Sequence, residues 1–313
     1  METISIVIPC YNEEENIMSF YNEIKNTLEQ LKSRYTYELI FINDGSEDKT
    51  EEIIKKLREE DKYIRLISFS RNFGKEAAIY AGLNSAIGNY IVLIDADLQH
   101  PPSTILEMIK EMEEGTYDVV ATRRKNRKGE PVYKRFFSKI FYKIMKCFIP
   151  MEQNVQDFRI MKKEVVDAIL SLKEYNRFSK GIFTWIGFKT KFIEIDNFDR
   201  KAGKTKWSFF KLFSYAIEGI TSFTTAPLKG SIIFGFLISI LAIFYTATII
   251  LQTLIVGKDV PGYASTITAI LFIGGIQLIS IGILSEYISK MYLEIKNRPK
   301  YIIKQESKSD KEL

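Results

Sequence analysis

The sequence is poor in several things, and each shortage narrows the reading. It holds two cysteines, Cys10 and Cys147. No disulfide framework can be built from so sparse a pair, and the usage fits a reducing compartment. The amino terminus has no long apolar run. Acidic residues follow Cys10 almost at once, which argues against a signal peptide. No internal repeat is visible. Charge is missing altogether from residues 230–257 and again from 260–285. Each of these stretches exceeds the roughly 20 residues an α-helix needs to cross a bilayer core.

The rest of the composition is ordinary. Of 313 residues, 46% are apolar and 27% charged, as in globular proteins. The net charge of +5 gathers its positive side near residues 123–146, 201–211 and 290–304. Membrane-surface, nucleotide or phosphate contacts explain such clusters at least as well as nucleic acid does. A nucleic-acid partner fits poorly, because the basic residues sit beside the apolar stretches.

Along the first ~120 residues, strand and helix patterns alternate. Residues 4–9, 37–43, 64–69, 90–94 and 117–121 read as strands. Residues 13–35, the segment after Ser46 through Arg58, 75–87 and 102–114 read as helices. This order predicts an α/β fold with a largely parallel sheet covered on both faces. Ligands on such sheets bind beyond the carboxyl ends of the strands. Residues 132–148 read as a basic, aromatic, amphipathic helix, 164–172 as a short helix and 188–195 as a strand. Residues 208–223 read as a helix lying in a membrane interface, with a core-packing helix as the alternative. Two spanning helices are expected at about 228–256 and 263–285. The domain plan is a catalytic domain over 1–200, a juxtamembrane amphipathic region over 201–227, the two spans within 228–290 and a charged tail over 291–313. The tail after Asn297 reads as disordered. Lys258 is the one Lys or Arg in the link between the spans, and both outer flanks are rich in these residues. Both termini and the catalytic domain should therefore face the cytoplasm, on a multi-pass protein of the cell membrane.

The chemistry-bearing residues fall at the strand exits. Asp95, Asp97 and Gln99 follow the 90–94 strand. In an extended segment residues two apart point the same way, so three oxygen-bearing side chains could be presented together. Hard cations such as Mg²⁺ and Mn²⁺ prefer oxygen ligands and often share them with substrate phosphates. Turns and caps also contain Asp-x-Asp. His100, the single histidine, could be a ligand or could sit beside the cluster. Tyr11 could stack on a base, and Glu13 and Asp44 could accept from base or ribose donors, although loop and cap chemistry also explains them. Arg71 and Lys75 flank a helix start where a diphosphate could sit.

Together these residues resemble family 2 glycosyltransferases of the GT-A fold, a Rossmann-like nucleotide-sugar domain. The resemblance is to the branch of polyprenyl-phosphate hexose synthases, which includes dolichyl-phosphate mannose synthase and bactoprenol glucosyltransferases. It is carried by Val7 to Glu13, Asn43-Asp44-Gly45-Ser46, Ser70 to Lys75, Asp95 to Gln99, Arg124 and Arg127, Asp157-Phe158-Arg159, and Arg177 to Gly187. It extends to a basic juxtamembrane motif from Arg200 to Trp207, where Thr205 replaces the usual serine. It covers residues 4–295. The resemblance implies that Asp95 and Asp97 hold Mg²⁺ or Mn²⁺ and the donor diphosphate, with Gln99 assisting. Pro9, Tyr11, Glu13 and Asp44 would line the nucleoside pocket. Arg124, Arg127, Arg200 and Lys206 would contact donor or acceptor phosphates. Asp157, Asp97 and Arg200 would be catalytic, and Asp157 is the family's base or positioning carboxylate. A phosphate monoester is mostly a dianion at neutral pH, since its second pKa is near ~6. Asp157 is therefore expected to orient groups more than to remove a proton. The implied activity is inverting transfer of a hexose or N-acetylhexosamine, UDP-linked, to undecaprenyl or another polyprenyl phosphate. A processive polysaccharide synthase lacks support, since no Gln-x-x-Arg-Trp motif is present. A catalytically inactive membrane scaffold is opposed by the intact acidic cluster. Sugar, base and oligomeric state stay open, with self-association through the spans as one route.

Overall fold

Ile4, Ile6, Val7 and Ile8 are all fully buried, because a parallel strand with helices on both faces has no wet side. The computed structural model describes residues 1–125, 154–195, 219–256 and 262–307. The expected helix over 132–148, most of the interface helix, the juxtamembrane motif and Cys147 lie outside the described residues.

The chain forms two units, Met1–Leu212 with Pro299–Leu313, and Phe213–Arg298. The first begins with β1 (Glu2–Cys10), α1 (Ile17–Glu29), β2 (Tyr35–Asn43), α2 (Thr50–Glu60), β3 (Ile64–Phe69), α3 (Lys75–Ser85), β4 (Tyr90–Leu93), α4 (Thr104–Glu113) and β5 (Val119–Arg124). It continues with β6 (Val155–Lys162), α5 (Lys163–Ser171), α6 (Ser179–Trp185) and β7 (Thr190–Ile195), and ends with β8 (Ile303–Glu306). The eight strands lie in the order β7-β5-β6-β4-β1-β2-β3-β8. β6 and β8 run antiparallel to their neighbours, and the other six strands run one way. The α/β expectation is met, with a mostly parallel sheet.

The helices seat for identifiable reasons. α1 buries Ile17, Phe20, Ile24 and Leu28 along one stripe, and Phe20 meets Phe41 of β2 edge-on at 6.5 Å. α3 lies closer to the sheet. A Cβ at Gly82 would fall 2.2 Å from a Val7 methyl, so only glycine fits there. That close approach brings the first residue of α3, Lys75, to the carboxyl ends of the central strands.

Three elements depart from the sequence reading. β6 was not read as a strand; it inserts antiparallel between β4 and β5. α6 was not anticipated. The tail expected to be disordered instead supplies β8, the edge strand paired with β3.

The second unit holds α7 (Ala226–Val256) and α8 (Tyr263–Lys296). Both carry windows long and apolar enough to cross a membrane, at mean hydropathies of 2.4 and 2.3, and neither window is buried. At 1.5 Å per residue each exceeds the ~30 Å hydrocarbon core. α8 continues past Ser285, and its last turns anchor the segment before α7. Lys290 Nζ donates to Thr221 Oγ1 at 2.6 Å, and the Tyr287 hydroxyl donates to the Thr224 carbonyl at 2.6 Å.

Candidate active site

The exits of β1, β2, β3 and β4 share one edge of the sheet, since these strands are parallel and adjacent. The first two exits interlock. Asn12, at a φ of 56°, donates its amide to Ser46 Oγ (3.0 Å) and accepts from the Glu47 amide (2.9 Å). The Glu13 amide donates to Thr50 Oγ1, and the Glu13 carboxylate accepts from Asn16 Nδ2 at 2.6 Å. Tyr11 stays exposed beside them, and Pro9 is the penultimate residue of β1. Burial pushes the adjacent Cys10 thiol well above its ordinary range.

Asp44 ties the second exit to the third. It is buried, and its two oxygens accept from the Phe73 and Gly74 amides at 2.7 and 2.9 Å. Burial raises its pKa, while those two amides pull the other way. Its carboxylate thus holds the loop after β3. Gly45, at a φ of 63°, makes the approach feasible, since a Cβ there would lie 2.4 Å from the Arg71 carbonyl carbon. Arg71 stays exposed, with its guanidinium 4.1 Å from the Phe73 ring centroid.

The fourth exit is a turn. Asp95 to Gln99 was expected to be extended; instead Leu98 adopts a φ of 56° and the Gln99 amide donates to Asp97 Oδ1 at 3.1 Å. The alternation survives the change of conformation. Ala96, Leu98 and His100 are buried, whereas Asp95, Asp97 and Gln99 are partly exposed. His100 lies beneath the turn, stacked on Phe158 at 5.8 Å. Burial lowers its pKa, which keeps the ring neutral.

β6 then brings a distant residue into place. Its register sets Arg159 opposite Leu93. Continuing antiparallel by two residues sets Asp157 opposite Asp95. The Lys75 ammonium sits between them, 2.7 Å from Asp95 Oδ2 and 2.8 Å from Asp157 Oδ2. Burial alone would raise the Asp157 pKa. The charges of Lys75, Lys180 and Arg159 outweigh it and hold the carboxyl well below the usual range. Burial opposes the charge on Lys75 too, but Asp157 and Asp95 raise its pKa far above the ordinary value. With 47% of its side chain exposed, Lys75 remains reachable by a ligand.

Arg159 does not pair with the Asp157 carboxylate. It is buried, donates to the Asp157 carbonyl (3.1 Å) and the Gln156 carbonyl (2.8 Å), and lies 3.6 Å from the Phe183 ring centroid. Burial lowers it to about 10, still a cation at neutral pH. Sequence reasoning missed this positioning role. It also missed Glu76, whose carboxylate accepts from the Ser179 amide (3.1 Å) and hydroxyl and so joins α3 to α6. Arg159 belongs to the Asp157-Phe158-Arg159 motif and Glu76 directly follows Lys75, but no local pattern marked either role.

Of the expected residues, the structure unites Lys75, Asp95 and Asp157, with Asp97 and Gln99 on the same turn. Arg124 closes β5 and is partly buried. Arg127, Arg200 and Lys206 lie outside the described residues. Among the described residues, no group of three or more His, Cys, Asp or Glu could hold a metal ion. Two carboxylates alone, Asp95 and Asp97, would leave most of a divalent cation's coordination to oxygens from a substrate or water. A cavity of about 760 Å³ lies elsewhere, at the amino ends of β2 and β3, lined by Lys25, Tyr37, Arg58 and Gln305 among others.

Residues 5–170 match the model of glycosyl transferase family 2, and residues 226–291 match the GtrB C-terminal hairpin. A prophage bactoprenol glucosyl transferase homolog of Escherichia coli K12 is 46% identical over 97% of this chain and 99% of its own. The bactoprenol glucosyl transferase of Shigella phage SfII is 45% identical over 96% and 97%. The glycosyltransferase CsbB of Bacillus subtilis 168, whose assignment is provisional, is 43% identical over 99% and 94%. With a family model spanning more than half its length, and relatives this similar along nearly all of it, the chain belongs to glycosyl transferase family 2.

Proposed function

We propose that the chain moves a hexose or N-acetylhexosamine from a nucleotide-sugar to a polyprenyl phosphate. UDP-glucose and UDP-N-acetylglucosamine are the leading donors and undecaprenyl phosphate the leading acceptor. The reaction is placed at the cytoplasmic face of the cell membrane. The observation that carries this reading is the Asp95–Lys75–Asp157 bridge at the carboxyl edge of the sheet, 2.7 and 2.8 Å on its two sides. The relatives named as bactoprenol glucosyl transferases support the acceptor class.

The residues divide the work by charge. Tyr11, Glu13 and Pro9 stand at the first exit, where a nucleoside can lie. Arg71 and Lys75 supply cations for a diphosphate at the start of α3. Asp95 and Asp97, with Gln99, would hold a divalent cation near the donor diphosphate. Mg²⁺ or Mn²⁺ so held would neutralise charge on the leaving group. Arg124, with Arg127, Arg200 and Lys206, is assigned to phosphates of donor or acceptor. The bond from C1 to the donor diphosphate breaks as the acceptor phosphate oxygen bonds C1 from the opposite face, inverting the centre. The acceptor arrives largely dianionic and needs no strong base. Asp157, held ionised by Lys75, orients the cations around the reacting atoms. Positioning and charge neutralisation supply most of the acceleration.

The hairpin is assigned to anchoring the chain in the membrane that carries the acceptor, where basic residues attract anionic lipid. Membranes containing the chain, incubated with a panel of radiolabelled nucleotide-sugars, should yield label extractable into organic solvent for at least one donor. Absence of extractable label with every donor contradicts the proposal.

A further inference from the structure

The chain returns to the sheet after α8. Asn297, at a φ of 45°, ends the helix, and β8 then pairs antiparallel with β3. The Ser70 amide donates to the Ile302 carbonyl, and the Ser307 amide to the Leu66 carbonyl, both at 2.9 Å. Ser307 Oγ accepts from the Leu66 amide at 2.9 Å, and Arg65 reaches Glu306 at 3.8 Å. Residues 302–306 are exposed, and the burial lies at the ends of the segment, at Tyr301 and Ser307. An edge strand that buries so little of its own middle contributes little to a core. Its side-chain contacts are concentrated elsewhere.

They bracket Lys75. The Tyr301 ring stacks on Phe69, at 4.8 Å between centroids and 15° between planes. Phe69 meets Phe73 edge-on at 5.8 Å, and Arg71 covers Phe73 at 4.1 Å. On the other side of Lys75, Tyr301 lies 6.4 Å from Tyr80 of α3 and hydrogen-bonds Asn84 of the same helix. Lys300 sits 4.0 Å over the Tyr80 ring, and Arg177 lies 4.8 Å from it. One short segment therefore touches both the strand and loop that precede Lys75 and the helix that follows it.

We propose that residues 299–307 form a positioning strap for the Arg71–Lys75 loop, with Tyr301 as the wedge that sets where Arg71 and Lys75 present their charge. Asp44 and Gly45 hold the loop from the β2 side, and the strap holds it from the β3 edge. Tyr301 acts through Phe69 and α3, so it is a positioning residue. The consequence for phosphate binding rests on the function proposed above; the mechanical part does not.

Two measurements on the full-length chain in detergent test the strap. Hydrogen exchange at the Phe73 and Gly74 amides should quicken about tenfold in Tyr301→Ala, as local opening becomes easier, while β1 and β4 keep wild-type protection. Binding of inorganic pyrophosphate with Mn²⁺, followed by calorimetry, should weaken about tenfold in the same variant as the cations lose their placement. Tyr301→Phe, which keeps the ring, should stay near wild type in both. Unchanged exchange at Phe73 and Gly74, or faster exchange spread equally over β1 and β4, overturns the strap. Altered exchange with unchanged pyrophosphate binding overturns its link to the site. Label transfer by wild type is read separately, so failure of the transferase reading is distinguishable from failure of the strap.

Discussion

Phe41 and Phe244 are the same residue under opposite rules. Phe41, in β2, is 0% exposed, and Phe244, in α7, is 72% exposed. In the sheet unit the apolar side chains face one another, and the polar groups of the candidate site lie at the carboxyl edge. Along α7 and α8 the apolar side chains face outward, and small polar ones such as Ser239, Thr246 and Thr253 bond back to their own helix carbonyls. Each unit is built for a different surrounding. The sheet makes its own apolar solvent and spends its polar groups on chemistry. The helices carry no such site among the described residues and need an apolar surrounding, which a bilayer supplies.

Substitutions can sharpen or break this contrast. Asp95→Asn or Asp97→Asn should lower glycosyl transfer by three orders of magnitude or more, on the order of 4 kcal/mol, yet leave the protein in the membrane fraction. Loss of membrane retention in those variants would blur the division of labour. Phe41→Ala should cost the sheet unit about 3–5 kcal/mol, read as a lower unfolding midpoint in denaturant. Phe244→Ala should change the stability read from that midpoint by less than about 0.5 kcal/mol, and an effect equal to that of Phe41→Ala would contradict the contrast. Leu241→Asp should disfavour membrane insertion by about 3 kcal/mol, measured as chain recovered outside the bilayer after carbonate wash.

Asp157→Asn tests the edge of the sheet more finely. Its folded-state pKa is depressed, so the stability from its pairing is present above the unfolded value of about 4 and is lost only as pH falls through the folded one. Lys75 is shifted up and stays charged. The bridge is therefore intact from pH 5 to 9, and Asp157 adds no limb to the rate profile in that range. The variant should lose roughly tenfold to a hundredfold in rate with the profile unchanged in shape. A lost acid limb would make Asp157 a base.

Local pattern carried most of the fold. The runs at residues 4–9, 37–43 and 64–69 read as buried strands because parallel strands bury both faces. The polar exits read as a site because such sheets bind ligands there. What escaped was non-local or locally disguised. β6 has the buried Arg159 in its middle, which breaks the apolar run. Its antiparallel insertion, the step that sets Asp157 against Asp95, depends on pairing with strands more than 30 residues away. Lys75 read as a phosphate ligand because a helix start was legible, whereas its contacts with Asp95 and Asp157 depend on distant parts of the chain. β8 is a short stretch of mixed polarity, Ile303-Lys304-Gln305-Glu306, exposed along its length, so no periodicity marks it. Asp95 to Gln99 was read with the right residues outward but the wrong backbone, since burial alternates through a turn as it would along a strand.

Metal-assisted sugar transfer to a lipid phosphate is the chemistry proposed for the turn after β4. The most direct test is purified chain in liposomes holding undecaprenyl phosphate, supplied with the labelled nucleotide-sugar it uses, before and after chelation and re-addition of Mg²⁺ or Mn²⁺. The account predicts labelled lipid that vanishes on chelation and returns with the metal. Labelled lipid formed undiminished after chelation, or none formed at any stage, would contradict it.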